Sequence, residues 1–138
     1  MAGKAALPSA VYRIHPKTGD ADCAVAAMAF IFRRDPEEVL IAASKVSSTV
    51  WRSGLSCVEM TKIAKRLKIH TRWKTNFDTE DDIGVLWVSH NDTTKEHCVV
   101  LSEGWIYEVE HNPVSLWRVD EYMRANNAYG NSLLEVIE

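Results

Sequence analysis

The chain has 138 residues, 46% of them apolar and 25% charged, which suits one compact unit around a single hydrophobic core. A formal net charge of −3 argues against a general binder of nucleic acid or anionic membrane. No apolar run is long enough for a signal peptide or a bilayer span, so a cytoplasmic protein without membrane association is expected.

Residues 1–138 read as a single domain, with no repeat, low-complexity segment or linker, and residues 1 to about 18 as an irregular arm ending in "HPKTGD". A first helix is predicted from Asp22 to about Phe32, where Val25, Met28, Ala29 and Phe32 recur at three-and-four spacing. It is apolar nearly all round, which predicts burial. A second starts at "DPEEVLIAA", with Asp35 as N-cap, Pro36 at the first helical position and Glu37 and Glu38 at the positive end. A third starts at "SCVEMTKIAKRL", where Ser56 and Glu59 have capping-box spacing and Val58, Ile63 and Leu67 form the expected apolar side.

Beyond residue 68 the period changes. "IHTRW", "IGVLWVSH", "HCVVLSE" and "WIYEVEH" are short, rich in β-branched and aromatic residues, and separated by polar turns. "SEGW" reads as a tight hairpin in which Gly104 supplies a positive φ. A short helix at "VDEYMRANN" and a last strand at "SLLEVIE" complete the pattern. Helices first and an antiparallel sheet afterwards define an α+β fold. Trp51, Trp87, Trp105 and Trp117 lie in or beside these elements, and most are expected in the core.

Three cysteines, Cys23, Cys57 and Cys98, cannot close as a disulfide framework, and no pair has C-x-x-C spacing, so at least one thiol is free and no metal site is expected. Cys23 falls in the first turn of its helix, where unpaired N–H groups and the helix dipole favour a thiolate. The same N–H groups can receive the oxyanion of an attacked carbonyl. A small apolar residue filling a helix start is the plain alternative.

A thiol nucleophile needs a base. His15, His70, His90 and His111 lie in the arm, a basic stretch and turns, whereas His97 opens "HCVVL", a strand expected to be central. Alternation sends His97 and Cys98 to opposite faces, so Cys98 is expected in the core if His97 faces a cleft. Asn112, in "EHNP", folds back beside the start of that strand if the hairpin forms, and its amide would orient the imidazole. Glu108 and Glu110 are the alternatives for that role.

This order of residues resembles the bacteriocin-processing cysteine peptidases of the papain-like superfamily, which cut after double-glycine leaders. "DCAVAAMAFIF" is similar to their nucleophile helix, "GLSCVEMTKIAKRLKI" to their third helix, and "GVLWVSHNDTTKEHCVVLSEGWIYEVEHNP" to their strand, histidine strand, hairpin and acid turn. The resemblance covers residues 18 to 113. It implies a papain-like fold with the nucleophile helix packed on a C-terminal antiparallel sheet, and a thiol protease with Cys23, His97 and Asn112 as nucleophile, base and orienting residue. No cofactor is implied. The family has Asp where this chain has Asn112, and glycine where it has Ala24. The family's oxyanion glutamine is absent from "HPKTGDADC"; Lys17 stands about where it would be and is the oxyanion candidate.

The expected function is a cysteine hydrolase acting on a peptide or protein. The missing glutamine favours a second reading, an inactive peptidase fold that binds or inhibits a partner, such as a phage or mobile-element protein with a host target. Lys62, Lys65 and Arg66 share one face of the third helix and form a candidate binding patch, although a solvated face explains them as well.

Overall fold

A computed structural model describes residues 22–47, 55–94, 96–108 and 115–137. Its first three helices precede the sheet. Helix α1 (Asp22–Phe32) contains no charged side chain after Asp22, and alanines keep its surface narrow, so neighbours can close over every face. Residues Cys23 to Phe30 are all buried. Helix α2 (Pro36–Val46) starts as its sequence dictates: the Asp35 carboxylate accepts the Glu37 N–H at 2.8 Å, with Pro36 behind it.

Helix α3 (Cys57–Arg66) opens with a complete capping box. The Glu59 N–H donates to Ser56 Oγ at 3.1 Å, and the Ser56 N–H donates to Glu59 Oε1 at 2.9 Å. Its apolar side differs from expectation at one position. Met60, Ile63, Ala64 and Leu67 are buried, but Val58 is 64% exposed. At 100° per residue Val58 lies above Lys62 and Lys65, on the solvent side of the helix.

The chain then forms β1 (Thr71–Lys74), β2 (Ile83–His90), β3 (Glu96–Ser102), β4 (Trp105–Glu108), β5 (Ser115–Arg118), α4 (Val119–Asn126) and β6 (Ala128–Val136). The strands make one sheet in the order β1-β6-β2-β3-β4-β5, every neighbouring pair antiparallel. The architecture is therefore α+β. Between β3 and β4 the turn holds Glu103 at φ 48° and Gly104 at φ 91°, the type I′ pattern of a two-residue hairpin. Gly84 is required elsewhere: a Cβ there would lie 2.4 Å from the Leu134 carbonyl oxygen, where β6 presses against β2.

Two elements depart from the sequence expectation. The last strand begins at Ala128 rather than 132, and it inserts between β1 and β2. Strand β5 was not expected at all; four residues carry too little alternation to be seen. The tryptophans also differ. Trp73, Trp87, Trp105 and Trp117 are each half-buried and rim the core. The indole N–H groups of Trp73 and Trp117 donate to Thr61 Oγ1 and Ser115 Oγ, a reason for both to stay near the edge. Trp51 and the arm lie outside the described residues.

Alternation gives the sheet two apolar faces. Val85, Cys98, Val100, Tyr107 and Leu134 face α1–α3, while Leu86, Val88, Val99, Leu101, Ile106 and Leu133 cluster with Tyr122 of α4. Among the described residues, no helix is long and apolar enough to cross a membrane.

Candidate active site

Cys23 is the second residue of α1 and is 8% exposed. Helix α1 lies across β3, so the first turn of the helix meets the first residues of that strand. Two β3 side chains act on the Cys23 sulfur. The Cys98 thiol hydrogen-bonds it, and His97 adds a hydrogen bond and a positive charge. Together they pull the Cys23 thiol down to about 4, against burial, which pushes it up.

Cys98 moves the opposite way. The hydrogen bond to Cys23, complete burial and the negative charges of its neighbours hold it well above the ordinary thiol range. The two sulfurs therefore share one proton, and it belongs on Cys98. Only Cys23 has the imidazole and the helix start beside it, whereas Cys98 has a buried wall and Glu96 within range of its charge. As alternation requires, Cys98 is a core residue. Its bond to the candidate nucleophile was missed, although the signal was present. A strand residue two before Val100 must face whatever helix covers Val100, and that helix carries Cys23 in its first turn.

His97 alternates with Val99 and Leu101, but it stands at the open end of β3, where its ring reaches round to Cys23. On its other side, Nε2 lies 3.7 Å from Glu108 Oε2. Glu108, the residue at the end of β4, also accepts a hydrogen bond from the Tyr122 hydroxyl at 3.1 Å. Thus one of the two carboxylates weighed beside Asn112 sits against the imidazole. Asn112, Glu110 and Lys17 lie outside the described residues.

Cys57 acts by charge on Cys98 but adds nothing to the Cys23 thiol. Burial and the charge of Glu96 push its own thiol up. Lys62, Lys65 and Arg66 are exposed along α3, away from the buried side formed by Met60, Ile63 and Ala64. In the acidic run after β1, Asp82 pairs with Lys74 at 3.2 Å, at the end of the basic stretch that begins on α3. Among the described residues, no three His, Cys, Asp or Glu side chains gather as a metal site.

No family model matches the chain, and no curated protein matches it. A low-lying thiol in a helix's first turn, an imidazole beside it and a carboxylate behind the imidazole are the parts of nucleophilic acyl transfer.

Proposed function

We propose that the protein is a papain-like cysteine hydrolase that cleaves peptide or amide bonds, with Cys23 as nucleophile and His97 as acid and base. The observation that carries this reading is the pair of hydrogen bonds from Cys98 and His97 to a Cys23 thiol held far below its ordinary range.

The steps follow from that arrangement. The Cys23 thiolate attacks a carbonyl carbon; the C–S bond forms and the carbonyl electron pair moves onto oxygen. Backbone N–H groups of the first turn of α1 are free of intrahelical partners and stabilise that oxyanion. The His97 imidazolium gives its proton to the leaving nitrogen, the C–N bond breaks, and an amine departs from a thioester. Neutral His97 then takes a proton from water, whose oxygen attacks the thioester. The C–S bond breaks, the acid product leaves, and thiolate and imidazolium are restored.

A second reading has its own support. Cys23 is only 8% exposed, which restricts the approach of a substrate carbonyl, and Lys62, Lys65 and Arg66 present positive charge to solvent. A binding or inhibitory module for an acidic partner protein, a host target if the chain belongs to a phage, fits those two facts. Peptide-library cleavage, read as new amines, separates the readings. Hydrolysis predicts release that vanishes in Cys23→Ala and His97→Ala while both variants stay folded. Release that persists in Cys23→Ala, or its absence from the wild type, removes the hydrolase.

A further inference from the structure

We propose that Glu108 and Tyr122 act as a positioning pair for His97, fixing which imidazole nitrogen faces Cys23. The proposal rests on the reading of His97 as the acid and base, and it assigns the far side of that ring to residues from β4 and α4.

The geometry sorts the two ring nitrogens. Nε2 is the atom 3.7 Å from Glu108 Oε2, which leaves Nδ1 for the side of the ring toward Cys23. At 3.7 Å the pair is an ionic contact, longer than a normal hydrogen bond. Such contacts commonly shorten once a site is occupied. A neutral imidazole with its proton on Nε2 donates to the carboxylate. The opposite tautomer would turn a lone pair toward the carboxylate, and that contact would fail.

A carboxylate can orient a ring only if it is itself held. Glu108 is 12% exposed on its side chain, and the Tyr122 hydroxyl donates to the same Oε2 at 3.1 Å. Tyr122 is 2% exposed and packs edge-on to Trp117 with ring centroids 5.9 Å apart. Behind it, the Asn126 amide donates to the Tyr122 carbonyl oxygen at 2.8 Å, tightening the last turn of α4. The β5–α4 excursion thus brings a rigid hydroxyl under the sheet to the carboxylate that lies 3.7 Å from the imidazole. Among the described residues, groups that bear on His97 include Cys23 from α1, Glu108 from β4, Tyr122 of α4 through Glu108, and Glu96 next to it on β3.

The test is ¹⁵N NMR of the His97 ring against pH in the whole protein, for wild type, Glu108→Gln, Glu108→Ala and Tyr122→Phe. In the wild type the neutral ring carries its proton on Nε2. Glu108→Gln retains an acceptor but removes the charge, so the tautomer stays and the titration midpoint falls by about one pH unit. Glu108→Ala loses both. Tyr122→Phe keeps the ring packing and lowers the midpoint by a smaller step, about a third of a unit, as the released carboxylate turns toward water. Unchanged tautomer and midpoint in Glu108→Ala and Tyr122→Phe would overturn the pairing. Because the readout is the imidazole itself, this result is separate from whether Cys23 turns over a substrate, which the cleavage assay decides.

Discussion

Cys23 and Cys57 both sit in the first turn of a helix, yet their thiols are displaced in opposite directions. The helix start is common to both, so it does not decide the matter. A helix dipole contributes about 0.3–1 kcal/mol, less than the 1.36 kcal/mol equivalent to one pH unit. At Cys57 burial and Glu96 outweigh it; at Cys23 a thiol donor and an imidazole reinforce it. The comparison teaches that partners from the sheet, and not the helix alone, make a thiolate here.

The largest effect that could break the comparison is on turnover. Cys23→Ala should reduce peptide cleavage at least about a thousandfold, while Cys57→Ala should leave it within about twofold. Equal losses in the two variants would mean that the two helix starts are not functionally distinct.

Next in size is the removal of the donor itself. Cys98→Ala should raise the apparent Cys23 pKa by about two units, read from its alkylation profile, whereas Cys98→Ser, which keeps a donor, should hold it low. The same Ala variant should lose about 1 kcal/mol in urea unfolding, since it leaves only a small cavity. At Cys57 the sign reverses. Removing the repelling charge in Glu96→Gln should lower that thiol by about half a unit and leave Cys23 low.

A third effect is on stability. The folded value of Cys23 lies below its unfolded one, so its contribution is complete above the ordinary thiol range and is lost as pH falls toward about 4. Cys98, raised on folding, contributes below the ordinary thiol range and loses that contribution at higher pH. The urea midpoint of the wild type should therefore decline relative to Cys23→Ala between pH 8 and pH 5. A constant difference would contradict a depressed Cys23.

How much of this was legible depends on how local each signal is. Helix α1 has the bounds its sequence suggests, and the Asp35 cap, the Ser56–Glu59 box and the Gly104 turn each form from residues a few positions apart. The insertion of β6 between β1 and β2 joins segments roughly forty to sixty residues apart, and no periodicity encodes it. Val58 was misassigned because a valine in a short amphipathic helix looks like core until its angle to Ile63 is worked out.

The site shows the same division. Cys23 and His97 were legible from position within their elements. The contact of Glu108 with the imidazole depended on the far side of the sheet, where Tyr122 rises from a helix that follows a strand too short to read. Cys98 illustrates a subtler limit. Alternation correctly assigned it to the core, but what a core thiol touches depends on which helix covers that face.

The measurement that tests the central claim most directly is alkylation of each cysteine by iodoacetamide from pH 4 to pH 10, resolved by mass spectrometry. The midpoint is the diagnostic quantity, because a thiolate of low pKa is intrinsically less nucleophilic and absolute rates mislead. The account predicts a Cys23 midpoint well below ~8.5 and none for Cys57 beneath that value. Coincident midpoints for Cys23 and Cys57 near the ordinary thiol value would contradict it.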